Sequence, residues 1–293
     1  MLFSIIIRTF NEEKYLSQLL DKISSQNIFS NKLEVIIVDS GSTDSTLIIA
    51  EAFNCKIIHI NKEIFSFGRS LNLGCTAALG DILIFISGHC IPIGENWLIN
   101  LVEPIIEKQV VYTYGRQIGN NTSKFSETVI FEKYYPNESI IPQIGYFCNN
   151  ANSALLKSEW ENKNFDEHLT GLEDMFLAKQ LVQEKKFIGY VASACVFHLH
   201  NESWSKIKNR FERESLALKN IMPEVQISFL DFIRFFISSV FIDIAKALRI
   251  NKLHKFIFQI FLYRFCQYWG SYSGNHSTRK ISKKLKYKYF FPK

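Results

Sequence analysis

The stretch Ser4-Ile5-Ile6-Ile7-Arg8-Thr9-Phe10-Asn11-Glu12 is a run of β-branched residues that ends abruptly at polar ones. A second run of this kind is Glu34-Val35-Ile36-Ile37-Val38-Asp39-Ser40-Gly41-Ser42-Thr43-Asp44. Between the two runs, apolar residues recur at helical spacing: Tyr15, Leu16, Leu19, Leu20 and Ile23. A strand, a helix and a second strand make a βαβ unit, and uninterrupted apolar strands are typical of parallel sheets covered on both faces. The sequence therefore predicts an α/β fold.

Polar residues follow each of these two strands. Ligands of parallel sheets bind beyond the carboxyl ends of the strands, where Thr9–Glu12 and Asp39–Asp44 fall. The carboxylate of Asp39 can accept hydrogen bonds from a base N–H or from ribose hydroxyls. Asp44 has a plainer interpretation, because an acidic residue at this point also stabilises the start of the next helix. Neither turn contains a glycine-rich dinucleotide or phosphate-loop motif, which disfavours sites of those types.

Six short segments extend this pattern along the chain. They are Ser4–Glu12, Val38–Asp44, Asn72 with Gly74, Ala78–Phe85, Phe165–Glu167 and Glu173-Asp174. In this order and spacing they resemble the family 2 glycosyltransferases of GT-A fold. The resemblance implies a Rossmann-like, mixed and mostly parallel sheet flanked by helices, and a nucleotide-diphosphate sugar as donor. It implies a nucleotide site formed by Thr9, Phe10, Asn11, Glu12, Asp39, Ser40, Gly41, Asp44, Arg69 and Asn72.

The strand after Gly80-Asp81 departs from the family pattern. The family has Asp-x-Asp at its end, whose carboxylates hold Mn²⁺ or Mg²⁺ on the donor diphosphate, whereas this chain has Ser87-Gly88-His89. Imidazole favours Mn²⁺ over Mg²⁺. We therefore expect a divalent cation, Mn²⁺ rather than Mg²⁺, with His89 and His198 at the diphosphate. His198 is included because it matches the position of a metal-binding histidine in related enzymes. For His89 the alternatives are a direct hydrogen bond to a phosphate or a structural role, and for His198 the alternative is a solvent-facing edge shared with His200.

The Glu173-Asp174 pair opens a helix and resembles the acceptor-side motif of the family. An inverting transfer needs a base that takes the proton of the acceptor hydroxyl. By resemblance that base is Asp174, with Glu173 orienting a neighbouring group, although acidic residues in a first helical turn also stabilise the helix dipole. For Arg69 the alternative to a diphosphate contact is a surface salt bridge. On the acceptor side we expect Asn150, Asn152 and Trp204.

The rest of the chain predicts a helical appendage. We expect a catalytic domain over residues 1–205, with a donor half at 1–105 and an acceptor half at 106–205, and a helical extension over 206–293. In the segment 229–248 the polar residues trace a narrow stripe at helical spacing: Asp231, Arg234, Ser238, Ser239, Asp243 and Lys246. The wide apolar remainder is predicted to be buried against the catalytic domain, a second subunit in a homodimer, or the membrane interface.

The formal net charge of +6 originates at the end of the chain. Seven basic residues lie there: Arg279, Lys280, Lys283, Lys284, Lys286, Lys288 and Lys293. Without them, 27 basic residues stand against 28 acidic ones. Such a tail suits an anionic membrane surface, although a solvated tail is the alternative. Nucleic acid is disfavoured as a partner, because no recognised binding module accompanies the charge.

Six scattered cysteines and the early start of the first strand indicate reduced thiols and no targeting segment. We therefore expect a cytoplasmic protein, peripheral at the inner face of the cell membrane. The predicted function is inverting transfer of a sugar to a saccharide or lipid-linked acceptor, in bacterial capsule or lipopolysaccharide O-antigen synthesis. One alternative is a non-catalytic GT-A-like binding module that has lost Asp-x-Asp. The other is a nucleotidyltransferase, which would want a basic, glycine-rich loop after the first strand.

Overall fold

The computed structural model describes residues 1–200, 202–277 and 289–291. It divides into two compact units. The first comprises Met1–Asn120, Tyr134–His168 and Glu173–Leu199, and the second comprises Asn121–Lys133, Leu169–Leu172 and His200–Lys293. This division differs from the expected boundary at residue 205, because residues 121–133 group with the C-terminal helices. The seven basic residues of the tail all lie outside the described residues.

An eight-stranded sheet in the first unit holds the strands found in the described residues. These are β1 (Leu2–Thr9), β2 (Lys32–Asp39), β3 (Lys56–His59), β4 (Ile82–Ser87), β5 (Cys90–Pro92), β6 (Tyr112–Ile118), β7 (Asn152–Leu156) and β8 (Ile188–His198). Their order across the sheet is β3-β2-β1-β4-β7-β6-β8-β5. Four neighbouring pairs are parallel, and β7 and β5 supply the antiparallel ones. The mixed, mostly parallel sheet predicted from the sequence is confirmed.

Ten helices accompany this sheet in the described part of the chain. They are α1 (Glu13–Ser24), α2 (Thr46–Ala52), α3 (Phe67–Ala77), α4 (Trp97–Ile106), α5 (Phe125–Tyr134), α6 (Lys157–Asn162), α7 (Glu173–Gln183), α8 (Trp204–Ile221), α9 (Phe229–Arg249) and α10 (Leu253–Asn275). Most of α5 and all of α8–α10 belong to the second unit. Strand β1 is buried without a break over residues 3–7, as expected for a strand covered on both faces. Its core partners include Leu16, Leu19 and Ile23 of α1.

The register of the sheet brings the polar strand ends to one edge. Thr9 pairs with Asp39 and Arg8 pairs with Ser87, so β1, β2 and β4 all end there. Strand β7 runs antiparallel to β4 and β6, and β8 runs parallel to β6. The amino end of β7 and the carboxyl end of β8, at His198, therefore lie at the same edge.

In the second unit, α10 packs against both α8 and α9. Within the polar stripe of α9, Asp243 is fully buried, whereas Phe241 of the apolar remainder is 67% exposed. The reason is a partner on α10, because Arg264 donates to both oxygens of Asp243 at 2.7 and 2.6 Å. Among the described residues, no helix combines the length and the apolar content that crossing a bilayer requires.

Candidate active site

The loop after β2 folds around the carboxylate of Asp39, which is fully buried. One oxygen accepts from Thr9 Oγ1 at 3.1 Å and from Ser42 Oγ at 2.5 Å, and the other accepts from the backbone N–H groups of Gly41 and Ser42 at 2.8 and 2.9 Å. Ser40 Oγ donates to the Thr9 carbonyl at 3.1 Å. The structure thus brings Thr9, Asp39, Ser40 and Gly41 together, and it uses the Asp39 carboxylate to hold the loop.

A second set of bonds joins the loop after β1 to the same turn. Asn11 adopts a left-handed φ of 57°, and its Oδ1 accepts from Thr43 N at 2.8 Å. Asp44 accepts from Glu13 N at 3.1 Å and from Thr46 Oγ1 at 2.5 Å. Burial acts to raise the pKa of Asp44, but the hydrogen bonds from Thr46 and Glu13 outweigh it and lower the pKa. The Asp44 carboxylate therefore joins the loop after β1 to the loop after β2.

Lys62 lies beside the residues expected at the nucleotide. Its Nζ is 4.6 Å from the centroid of the Phe10 ring, a cation–π distance. A Cβ added to Gly41 would lie 2.9 Å from Lys62 Cε, so only glycine allows this approach without a shift. Sequence analysis missed this lysine, because a single cation in the polar segment 61–63 forms no motif.

Asn72 of α3 anchors the segment 165–167 rather than facing a ligand. Its Oδ1 accepts from Trp160 Nε1 and from Phe165 N, both at 3.0 Å. Its Nδ2 donates to Phe165 O at 2.9 Å and to Glu167 Oε1 at 3.1 Å. Arg69 Nε donates to the other oxygen of Glu167 at 2.7 Å, which is the salt bridge offered as the alternative for this arginine. Burial acts to raise the pKa of Glu167, but its bonds to Asn72 and Arg69 lower it below its ordinary value.

Two histidine rings stack at the carboxyl edge of the sheet. His89 and His198 have ring centroids 5.2 Å apart, at an interplanar angle of 25°. His89 Nδ1 lies 2.8 Å from Glu12 Oε1, and His198 Nδ1 lies 2.6 Å from Gln117 Oε1. Gly88 permits the first contact, because a Cβ there would lie 2.9 Å from Glu12 Cγ. An acceptor at Nδ1 favours a hydrogen on that nitrogen, so that the lone pair of a neutral ring lies on Nε2, the arrangement found in metal-binding histidines.

The Glu173-Asp174 pair is buried at the N-terminus of α7. Asp174 accepts from Asn150 N at 2.8 Å and from Met175 N at 2.7 Å. Burial, and next the charge of Glu173, raise the pKa of Asp174 to about 7 against the opposing effect of these two hydrogen bonds and of Arg8. Arg8 Nη1 lies 3.3 Å from Glu173 Oε1. A carboxyl group with a pKa near neutrality can both take up and release a proton.

The side chain of Asn150 adds a polar group beside this pair. Its Oδ1 accepts from Tyr112 Oη at 2.5 Å and from Ser153 Oγ at 2.6 Å. Its Nδ2 is buried and has no hydrogen-bond partner within the described part of the chain. A buried donor without a partner is costly, so this N–H is available to a ligand or to a water molecule.

Two further residues, Asn152 and Trp204, were expected at the acceptor. Asn152 is fully buried, and its amide bonds Trp97 Nε1 at 2.9 Å and Ala194 O at 2.8 Å. The acceptor contact expected of Asn152 does not fit this position, because its amide already joins α4, β7 and β8. Trp204 opens α8 in the second unit, with Lys124 Nζ 5.4 Å from its ring centroid.

A buried charge network surrounds Glu127 in the second unit. His200 Nδ1 lies 2.8 Å from Glu127 Oε1, and Arg210 Nη2 lies 3.1 Å from the same oxygen and 2.8 Å from Glu202. Burial acts to raise the pKa of Glu202, but the charges of Arg210 and His200 outweigh it and lower the pKa to about 2. The carboxylates and His200 are close enough to share a cation. The Arg210 guanidinium already supplies the positive charge there, so this network is self-contained.

Sequence analysis also missed Arg8 and Gln117. Both occupy strands, and Gln117 is 1% exposed. Charged and amide side chains inside otherwise apolar strands are rarely buried without a partner. That signal could have identified Arg8, which interrupts the first apolar run, whereas no feature of the local sequence distinguishes Gln117.

Comparison with known proteins agrees with this architecture. Residues 4–162 match the family model described as glycosyl transferase family 2. The chain is 30% identical over 213 residues to the O-antigen chain rhamnosyltransferase RfbN of Salmonella typhimurium, covering 69% of this chain and 67% of that protein. It is also 30% identical to the O-antigen chain rhamnosyltransferase WbaN of Salmonella anatum, covering 57% of each. This chain therefore spans only part of each relative.

Solved structures share the fold at low identity. A mannosyltransferase from Pyrobaculum calidifontis, in complex with GDP-Man and Mn²⁺, superposes with a TM-score of 0.66 at 14% identity, covering 94% of this chain and 88% of that one. TarS of S. aureus gives a TM-score of 0.57 at 20% identity, covering 87% of this chain and 44% of that one. The resemblance in fold and the family match over more than half of the sequence lead to one conclusion: the chain belongs to glycosyl transferase family 2.

Proposed function

We propose that the chain transfers a sugar from a nucleotide-diphosphate sugar to a saccharide or lipid-linked acceptor, with inversion at the anomeric carbon. One observation carries this proposal: Asp174 is a buried carboxyl group whose pKa is raised to about 7, bonded to Asn150 at the edge where the donor-side loops lie. A general base works best when its pKa is near the working pH.

In the proposed reaction Asp174 takes the proton of an acceptor hydroxyl. The hydroxyl oxygen forms a bond to the anomeric carbon, and the bond from that carbon to the diphosphate oxygen breaks with its electron pair on the diphosphate. The two backbone N–H groups that bond Asp174 hold its carboxylate in one orientation. Asn150 Nδ2 is the donor best placed to orient an acceptor or sugar hydroxyl.

The diphosphate leaving group requires positive charge. The donor set at the sheet edge fits a divalent cation, because His89 and His198 each have an oxygen acceptor at Nδ1, which leaves the imidazole lone pair at Nε2. Two imidazoles suit Mn²⁺ better than Mg²⁺. Such an ion would neutralise charge on the leaving diphosphate. Lys62, beside Phe10, is a second source of positive charge for the nucleotide.

The relatives suggest where the substrate search should begin. RfbN and WbaN are named as O-antigen chain rhamnosyltransferases, and TarS as a poly(ribitol-phosphate) β-N-acetylglucosaminyltransferase. We extend to this chain a role in assembling a bacterial surface polysaccharide, such as an O-antigen or a capsule. Candidate donors are therefore rhamnose or N-acetylhexosamine linked to a nucleoside diphosphate.

The test is a donor titration by calorimetry, with UDP-, dTDP- and GDP-sugars in Mn²⁺, in Mg²⁺ and in EDTA. Nucleotide release with a saccharide acceptor is then measured for the wild type and for Asp174→Asn. We expect one donor to bind in the presence of Mn²⁺, and Asp174→Asn to bind it without turnover. Donor binding without turnover in the wild type, across an acceptor panel, would favour the non-catalytic module. No binding of any nucleotide sugar would contradict the proposal.

A further inference from the structure

The hairpin of α9 and α10 buries an ion pair and exposes many large apolar side chains. Its most polar pair is inside: Asp243 is 0% exposed and Arg264 is 4% exposed. Ser239 Oγ and Tyr268 Oη form a second hydrogen bond between the helices, at 2.6 Å. Water-soluble helices normally bury their apolar side and expose their charges. Here the charged pair is satisfied between the helices, and many of the outer positions are apolar.

These outer side chains are large, and they cluster on the two helices. Among those at least 40% exposed are Leu230, Phe235, Ile237, Phe241, Ile242 and Leu248 on α9, and Phe258, Phe261, Leu262 and Phe265 on α10. Phe258 is 83% exposed and Phe241 is 67% exposed. Phe241, Ile237 and Phe261 line one shallow groove of about 120 Å³, so the apolar surface continues from one helix to the other. We call this surface the outer face of the hairpin. A contiguous apolar surface of this kind marks an interaction site.

Charge identifies the partner. Of the 34 basic residues, 13 lie in residues 229–293 and 21 in residues 1–228. Of the 28 acidic residues, 2 lie in residues 229–293 and 26 in residues 1–228. One of the two acidic residues is Asp243, which is buried against Arg264. On the hairpin itself Arg234, Arg249, Lys252 and Lys255 are exposed. An apolar surface within a strongly positive segment complements an anionic lipid surface.

A second copy of the chain fits these charges less well. Two outer faces brought together would each carry an excess of positive charge, and like charges across an interface oppose association. A spanning mode is also disfavoured, since no described helix is long and apolar enough to cross a bilayer. We propose that the outer face of the hairpin inserts its phenylalanines into the interfacial region of an anionic membrane, with the helices lying parallel to the surface.

This arrangement would hold the enzyme where a lipid-linked acceptor is found. That link rests on the proposed function, whereas membrane binding itself requires no turnover. The two are therefore measured separately: vesicle binding without any donor, and donor titration without vesicles. If one of these two measurements fails, the proposal tested by the other is unaffected.

The experiment is co-sedimentation of the full chain with phosphatidylcholine vesicles that contain or lack phosphatidylglycerol. The test variant is Phe241→Ser/Phe258→Ser, and the matched control is Leu79→Ser, which changes a 73% exposed apolar residue of the first unit. We expect the wild type and the control to bind anionic vesicles alike. The double variant should bind at least about tenfold more weakly, because each phenylalanine loses its transfer from water.

A charge variant completes the design. Lys252→Glu/Lys255→Glu should bind anionic vesicles more weakly and leave the weak binding to neutral vesicles unchanged. Unaltered thermal unfolding and donor binding would verify that the variants fold. Vesicle binding by Phe241→Ser/Phe258→Ser equal to that of the wild type would overturn the proposal. It would also be overturned by a wild type that ignores vesicles but sediments as a dimer, which the double variant converts to a monomer.

Discussion

The guanidinium of Arg8, near the end of β1, lies 3.3 Å from the carboxylate of Glu173 at the start of α7. The same guanidinium lies 4.6 Å from the centroid of the Phe67 ring, at the start of α3. One side chain of the first strand therefore contacts two helices: α7, which carries the proposed base, and α3. Its charge also opposes the rise in the pKa of Asp174.

Replacing Arg8 by alanine should raise the pKa of Asp174 further, because burial and Glu173 would act without the opposing charge. Nucleotide release at neutral pH is expected to fall about tenfold for each unit of this rise and to recover partly at higher pH. Rates measured across a pH series provide the test. Arg8→Lys keeps the charge and should show a smaller shift. An unchanged pH profile in Arg8→Ala would show that Arg8 does not influence the pKa of the base.

The wild type itself should lose activity on the acidic side of a pKa near 7. Asp174 acts as a base only when ionised, so protonation below its pKa of about 7 removes the active form. The value of kcat/KM should fall about tenfold per pH unit below that point. Steady-state rates against pH measure this limb. If the acidic fall in kcat/KM occurred near pH 4 instead, another group would be taking the proton.

His89→Ala should abolish the dependence of donor binding on Mn²⁺, because the variant loses one proposed imidazole ligand. His89→Asp supplies a carboxylate, which is a better ligand than imidazole for Mg²⁺. Donor binding should therefore show a smaller preference for Mn²⁺ over Mg²⁺ in this variant. Calorimetric titrations of the donor in the presence of each metal measure both changes in donor binding. His59→Ala, at an exposed position of β3, is the control and should behave as the wild type. Equal metal dependence in all four proteins would remove His89 from the metal site.

Asn72→Ala should destabilise the first unit by about 2–4 kcal/mol, because it leaves the partners of four hydrogen bonds unpaired. Two of these partners are the backbone N–H and C=O of Phe165. The midpoint of chemical unfolding measures the loss. Asn164→Ala removes a single bond, from Nδ2 to the Trp160 carbonyl, and should cost less than about 1 kcal/mol. If the two variants unfolded alike, Asn72 would not be the anchor of the 165–167 segment.

Asp243→Leu should destabilise the second unit by about 3–5 kcal/mol, since it removes the only carboxylate paired with the buried guanidinium of Arg264 among the described residues and leaves it with the Gln267 amide oxygen. The double variant Asp243→Leu/Arg264→Met replaces the pair with apolar groups of similar volume, and it should recover most of the loss. Thermal unfolding followed by circular dichroism distinguishes the two. A double variant as unstable as the single one would show that the pair itself stabilises the hairpin.

The sheet was predictable because its strands are encoded locally. An apolar run such as Ile5–Ile7 is recognisable without its neighbours, and a polar residue at its end marks the ligand-binding edge. The contacts of individual side chains were not predictable to the same degree. Nothing near Glu12 indicates that its carboxylate lies 2.8 Å from His89, because the two residues are 77 positions apart and meet only through the sheet.

Burial was the property that sequence patterns predicted least well. Asn152 was expected at the acceptor because it follows Asn149 and Asn150, but alternation along β7 directs its amide to Trp97 in the core. Asp243 was assigned to a narrow polar stripe, but Arg264 lies 21 positions later and pairs with it inside the hairpin. In both cases a distant partner decides the side to which a polar residue turns, and helical or strand periodicity contains no information about that partner.

Gly68 limits the changes that the junction between α3 and the segment 165–167 can accept. A Cβ at this position would lie 2.1 Å from the carbonyl oxygen of Asp166, so any other residue would push α3 away from the segment that Asn72 anchors. Libraries that randomise position 68 should therefore yield mostly misfolded members. His168, which follows this junction in the chain, is exposed and carries no such restriction. A tightly packed glycine thus separates the positions that selection can explore from those it cannot.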